Sequence, residues 1–473
     1  MNSYLIDSFR GGISEYEDKG ISGAFKHAKA IDIRKKVDSI SCQQALVEET
    51  GVTFDSLMKF IVPASDGHAY GFTSNGKIYK RDGSAKTWSL VYTDANGDIT
   101  GAAEFYIDNN KTYLFWANAT KLHAKEIPGQ TDWSDVDDTI TNEAADPQTF
   151  PKTNLTSSSY HTMKQVVDRL LICNSNFVAM VGVDASYTTE ALNLIPKNIS
   201  KAIIERNLYA VIGTERSDLK EESGLFFWDQ VSATNWNDKK YLPAKSVNAL
   251  IDTEIPLAQI GDDGLLYLSD GANTIPIARF PGGGEVNPDG VDVFEGLALF
   301  GVFGNGADNT GVYTYGRKGR NQPVTLNLDY PLTCDEIGSV TTVGSDVVIT
   351  YRNELAYGVK RIDTTAKATG YYYSLDLKAP ARMLRQLPLW SGVILTTKPM
   401  PAGTSIELFY KTDKTGNWKQ ANIEGGDTTF DTVGGQEAVF NLGDKGKYFE
   451  FYVKLNPSAN LTPEIYKIEP LFQ

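Results

Sequence analysis

Four histidines, His27, His68, His123 and His161, are the first residues to test for chemistry, because imidazole serves both as metal ligand and as general base. Their spacings match no HExxH or related metal motif, and each reads as a surface or strand histidine. No GxSxG elbow and no GxxxxGK[ST] loop occurs; GDKGK at 443–447 is too short to cradle a phosphate and reads as a hairpin turn. Asp94, Asn96 and Asp98 in TDANGDIT imitate the opening of a calcium loop. The sixth position of such a loop is Gly and here it is Ile99, while Phe105 stands where the bidentate acid belongs, so the stretch reads as an Asn-Gly hairpin. Asp262-Asp263 and Glu221-Glu222 are adjacent acids in an acidic chain, and adjacency alone does not supply the separated acid and base of glycoside hydrolysis. Trp390, Tyr410 and Trp418 are candidate stacking platforms for a sugar, with core or interface packing as the competing reading. This inventory assigns no catalytic, cofactor-binding or metal-binding residue, and no enzyme activity.

Totals narrow the classes further. With 59 acidic and 45 basic residues the formal charge is −14, a field that repels phosphate backbones and anionic lipid. Sequence-specific nucleic-acid binding is therefore not expected. Cys42, Cys173 and Cys334 are far apart and form no CxxC, which reads as buried free thiols from a reducing cytoplasm. The opening MNSYLIDSFRGGISEYEDKG lacks the basic-then-apolar order of a secretory signal, and no apolar run is long enough to span a membrane. Asn118-Ala-Thr120 is accordingly expected to carry no sugar.

The elements that must position these residues are strands. Tyr (24) and Phe (21) are abundant beside 42 Gly, a pairing of strand formers with turn formers that predicts an all-β protein. Hairpin turns such as Ser65-Asp66-Gly67 and Ser74-Asn75-Gly76 separate short alternating strands from Met58 onward, and the pattern recurs. Units begin near Met58, Gly101, Tyr160, Ser200, Val247, Val291 and Glu336. Dividing the 323 residues from 58 to 380 by seven gives roughly 46 each, the length of a propeller blade. The expectation is a β-propeller of about seven blades over 58–380. Loops at 131–158, 214–224 and 281–290 are read as decorating one face or as spacers. YKRDGSAKTW (79–88) resembles an Asp-box turn, in which an Asp caps a hairpin above a Trp, although the Asp-x-Gly spacing is missing.

Residues 1–57 are rich in charge and Gly and read as an arm that packs on its own domain or on a neighbouring subunit and gives one strand to the sheet, with a locally disordered leader as the competing reading; SISCQQALVEE reads as a strand or as one helical turn. Residues 381–473 read as a jelly-roll-like β-sandwich. In KYFEFYVKL, Phe449, Phe451, Val453 and Leu455 share one face while Tyr448, Glu450, Tyr452 and Lys454 share the other.

SFRGGISEYEDKGISGAFKHAKAIDIR (8–34) resembles the opening of phage tail and neck proteins. TTKPMPAGTSIELFYKTDKTGNWKQA (396–421) and KYFEFYVKLNPSANLTPEIYKIEPLF (447–472) resemble the terminal sandwich of phage tail structural proteins. With its central propeller, the whole is similar in kind to the nozzle proteins of short-tailed phages. The resemblance implies a virion structural protein of the tail or neck, a homo-oligomeric ring in contact with other virion proteins, and a conduit whose acidic interior lets DNA pass without sticking. A receptor- or glycan-binding module of the tail or capsid is the alternative. A sialidase-like hydrolase is a third, and it would need arginines and acids converging on the propeller axis; the basic run Arg317, Lys318 and Arg320 instead reads as a solvated or subunit-facing loop.

Overall fold

The computed structural model describes residues 2–14, 22–34, 38–108, 110–127, 133, 138–142, 145–218, 221–234, 239–269, 273–319, 322–378, 387–414 and 416–473. Every regular element among the described residues is a β-strand. Seven antiparallel blades follow one another along the chain. Their first strands are Met58–Pro63, Ile99–Ile107, Met163–Val166, Asn198–Arg206, Val247–Ile251, Glu285–Phe294 and Glu336–Val343. Each first strand touches the next and the last touches the first, so they ring a common axis. Six blades have four strands; the second has three, Ile99–Ile107, Lys111–Asn118 and Lys121–Ile127. The chain is a β-propeller, and its blades begin within six residues of the starts marked by the turn pattern.

A blade alone buries neither face, so the apolar residues of neighbours must meet. They do so in one cluster per blade junction. Phe105 and Phe115 of the second blade pack on Leu170 and Ile172 of the third, and so on around to Met58, Tyr79 and Trp88 of the first blade against Val348 and Val359 of the seventh.

Closure comes from the N-terminal segment. Gln44–Glu48 pairs antiparallel with Ala356–Lys367 as the outer strand of the seventh blade, Lys360 opposite Glu48 and Ile362 opposite Leu46. The chain then carries buried Glu49 to the first blade, where its carboxylate accepts from Arg81 Nε at 2.8 Å and Trp88 Nε1 at 2.8 Å. Arg81 Nη2 also reaches Asp346 Oδ2 of the seventh blade at 2.9 Å. Removing either partner would leave a buried charge, so this pair is a lock on the ring rather than a surface decoration.

The rest of the N-terminal segment lies inside the second unit. One sheet of the sandwich runs Asn422–Ile423, Glu437–Lys445, Leu389–Thr397, Glu464–Phe472, Ile40–Cys42 and Ile31–Asp32. The other contains His27–Lys29, Gly370–Tyr373, Tyr448–Asn456, Ser405–Lys411 and Lys419–Gln420. Phe9, Phe25, Ile31, Ile40 and Cys42 fill the same core as Trp390, Phe449, Phe451 and Phe472. The arm expected over 1–57 is thus part of two folded units, and Gly370–Tyr373, expected in the propeller, belongs to the sandwich. Strands of two or three residues carry too little alternation to declare their partners. The boundary placed at 380/381 lies outside the described residues.

Propeller and sandwich share a sheet. The outer strand of the sixth blade, Thr325–Pro331, pairs parallel with His27–Lys29, Leu328 opposite Lys29. Beside this seam buried Arg34 donates to Asp329 Oδ2 at 3.0 Å, to Thr314 Oγ1 at 2.6 Å and to the Thr325 carbonyl at 2.8 Å.

Two further expectations change. Residues 285–290 of the predicted loop 281–290 are inner strand, with a register shift between Val286 and Val291 where Asn287-Pro288-Asp289-Gly290 bulges toward the axis. GDKGK is no hairpin: it carries the chain from Glu437–Lys445 in one sandwich sheet to Tyr448–Asn456 in the other.

Candidate functional site

The starts of the inner strands converge at one mouth of the axis, and Tyr160, in the link from the second blade to the third, reaches across it. Its hydroxyl donates to Asn287 Oδ1 in the sixth blade at 2.8 Å, and Asn287 Nδ2 donates onward to the Ile337 carbonyl in the seventh at 2.8 Å. Lys59 of the first blade and Lys201 of the fourth place their ammonium groups 5.5 and 6.0 Å from the ring centre. Burial first, and then the carboxylates of Glu336, Glu285, Asp98 and Glu215, push the phenol above its ordinary range, so Tyr160 remains a neutral donor. It thus bridges the link between the second and third blades to the sixth blade across this mouth.

A cleft of about 290 Å³ opens beside it, lined by Lys201, Glu215, Asn248, Asp262, Asp263 and Glu285 among others, with Glu221 at its wall. The structure thus gathers Asp262, Asp263 and Glu221, which the sequence offered only as acids adjacent in the chain. Cations interleave with them: Lys201 and Lys245 reach Glu215 at 3.2 and 3.4 Å, and Arg279 reaches Asp263 at 3.1 Å. Paired carboxylates of this kind hold shape and charge balance; a general acid needs a carboxyl that keeps its proton.

Farther along the axis Asp289 is such a group, and sequence reasoning missed it by assigning its segment to a loop. Asp289 Oδ2 accepts from Ser339 Oγ at 2.6 Å and from the Ile61 amide at 3.2 Å. Burial raises its carboxyl to about 7, the charge of Asp292 adding to the rise and Lys164 opposing it. Its partners are a serine and a backbone amide, which position the carboxyl between three blades. The signal that could have found it is the Asn-Pro-Asp-Gly sequence read as a bulge rather than as a turn.

The histidines stay apart. His161 is buried between Thr100 Oγ1 at 2.7 Å and the Thr156 carbonyl at 2.9 Å, and His123 is buried and stacked on Trp116 with centroids 5.2 Å apart. His68 Nδ1 meets the Arg81 carbonyl at 3.2 Å, and His27 lies in the seam strand. No group of three or more His, Cys, Asp or Glu able to hold a metal occurs among the described residues. Asp94 accepts from Trp116 Nε1 at 3.0 Å and from the Asn96 amide at 2.8 Å, and Asp98 pairs with Lys59 at 2.8 Å, so protein donors take the oxygens of the calcium-like stretch. Asp82 caps its hairpin by accepting from the Ser84 and Ala85 amides at 2.8 and 2.7 Å, as the Asp-box likeness implies. All three cysteines are buried and free; burial pushes the Cys42 thiol up to about 11 and those of Cys173 and Cys334 to about 12.

The three aromatics offered as sugar platforms do not form one. Trp390 and Tyr410 are in the sandwich core, Trp390 stacked on Phe449 at 4.5 Å. Trp418 instead lies edge-on against an outward ladder in which His27, Tyr373, Tyr452 and Phe409 stand in register across four strands. Phe409 and Tyr452 stack at 4.6 Å with planes 8° apart, so these rings cover one another's faces and stiffen the sheet. Arg317 and Lys318 are exposed beside the sixth blade, while Arg320 lies outside the described residues, as do parts of the loops 131–158 and 214–224.

By sequence the chain matches no protein-family model and no curated protein. Among solved structures it is similar to the RRP9 WD40 repeats, at 13% identity and a TM-score of 0.48 over 68% of this chain and 99% of that one. It is also similar to U3-55K, at 13% identity and a TM-score of 0.47 over 67% of this chain and 98% of that one. The extracellular domain of the putative one component system BT4673 from B. thetaiotaomicron matches at 14% identity and a TM-score of 0.46, over 85% of this chain and 48% of that one.

Proposed function

We propose that the protein is a structural component of a phage virion, in the tail or neck, which assembles with copies of itself into a ring that lines the path of the DNA. The observation that carries this reading is mechanical. One uninterrupted sheet runs from the inner strand Glu285–Phe294 of the propeller through His27–Lys29 to Lys419–Gln420 of the sandwich, and the N-terminal segment that supplies its seam also closes the propeller ring. Two units joined by a shared sheet and a buried Arg34–Asp329 pair move as one body, which suits a particle that bears load. Tyr160 spans the mouth of the propeller's own axis, and a DNA path in this reading runs through the opening between copies and not through the blades. The charge of −14 supports passage without adhesion.

The glycan-binding alternative loses support from the burial of Trp390 and Tyr410. Light scattering of the intact protein tests the main reading: a defined mass at a multiple of 52.0 kDa is expected, and a monomer at every concentration would overturn it. Truncation at residue 57 is a poor test, because it removes the closing strand Gln44–Glu48 and four strands of the sandwich, Asn2–Ser3, His27–Lys29, Ile31–Asp32 and Ile40–Cys42.

A further inference from the structure

Between the third and fourth blades the surface carries apolar side chains where relaxed turns would not place them. Val167, in the two-residue turn before Arg169–Asn174, has a φ of 57°; in the turn before Tyr209–Arg216, Asn207 and Leu208 have φ of 51° and 70°. Gly or Asn takes this left-handed backbone readily, and a β-branched Val or a Leu does not. Both side chains nonetheless face solvent, Leu208 67% and Val167 43% exposed, next to Val231 at 83%. The tips are tied into one patch: Arg169 Nη1 donates to the Gln230 carbonyl at 2.6 Å, and Gln230 Nε2 to the Leu208 carbonyl at 3.4 Å. Exposed Asp168 and Asp229 rim it. A strained turn that holds an apolar side chain in water gives the isolated fold nothing, so the contact it serves lies outside the chain.

The sixth blade carries the complement at the same end of the propeller, where inner strands finish. Arg317 and Lys318 are exposed there beside Val293 and Val324, 38% and 48% exposed. Lys318 reaches Glu295 at 2.7 Å in its own chain, a solvent-facing pair that can exchange for another carboxylate. One chain therefore presents an acid-rimmed apolar patch and a base-rimmed apolar loop.

We propose that these two surfaces meet between copies, the Val167–Leu208–Val231 patch of one seating against the Arg317–Lys318 loop of the next. The inference rests on the self-assembling reading above and names its contact. Two different patches on each copy make the contact head-to-tail, which closes into a ring or continues as a filament.

The test uses the full-length protein and three surface variants, Leu208→Gly, Val231→Glu and Lys318→Glu, with self-association followed by sedimentation and light scattering. Each variant is expected to weaken association by about tenfold or more. Leu208→Gly sets a glycine directly after Asn207, the preferred pair for this turn, so its Tm, read at a dilution where the protein is monomeric, is expected to rise. Mixing Val231→Glu with Lys318→Glu leaves one good patch on each partner and should give pairs and nothing larger. Variants that assemble like the natural protein, or a lower Tm for Leu208→Gly, would overturn the interface while leaving the self-assembling reading in place. A natural protein that stays monomeric would overturn both.

Discussion

Asp289 is the residue at which chemistry and stability separate most clearly. Its folded carboxyl titrates near 7 against an ordinary 3.8, so the folded state holds this proton more tightly than the unfolded chain. The stabilisation this gives is fully present below about pH 4, declines as pH rises from ~4 to ~7, and is gone above that. At pH 8 the ionised form costs the fold on the order of 2–4 kcal/mol, a range lowered to allow for solvent along the channel wall. Asp289→Asn keeps an oxygen for Ser339 and Ile61 and carries no charge. It is expected to raise unfolding free energy at pH 8 by that amount and to lose the advantage near pH 4, as read by denaturant titration at the two pH values. An equal effect at both would show that the Asp289 carboxyl titrates alike in the folded and unfolded chain, which would contradict the raised value. Composition and spacing could not reveal this group, because its environment comes from Ile61 and Ser339, 228 and 50 residues away. Glu450 does lie on the face opposite Phe449 and Phe451, as alternation implies; what the spacing could not show is that Lys26, far off in the chain, and Lys411 cover it there, leaving it 5% exposed.

At the scale of elements, the long alternating strands were legible and the short ones were not. Phe449, Phe451, Val453 and Leu455 all face the core as their spacing implies, and the blade starts followed from hairpin turns. Ile31–Asp32, Ile40–Cys42 and His27–Lys29 are too brief to show a period, and their role appears only when the partners are in place. The consequence is testable. A fragment of residues 381–473 lacks His27–Lys29, Gly370–Tyr373 and the partners Asn2–Ser3 and Ile40–Cys42 of Glu464–Phe472, and with the missing residues go Phe9, Phe25, Ile31, Ile40 and Tyr372 of the core. At about 1.5–3 kcal/mol for each large apolar side chain buried, the loss is as large as the whole stability of a small domain. The fragment is expected to show no cooperative thermal transition by circular dichroism. A sharp transition would mean that the C-terminal strands make a sufficient core without the N-terminal segment.

At the scale of the whole molecule, the woven N-terminal segment ties propeller and sandwich together through a shared sheet, and the proposed contact would set the strained apolar turns of one copy against the basic loop of the next. The ring that follows would place like charge around its opening. The central claim is most directly tested by imaging the purified full-length protein by cryo-electron microscopy. The account predicts closed rings of identical copies whose opening is lined mainly by carboxylates; isolated single molecules, or an opening lined by Lys and Arg, would contradict it.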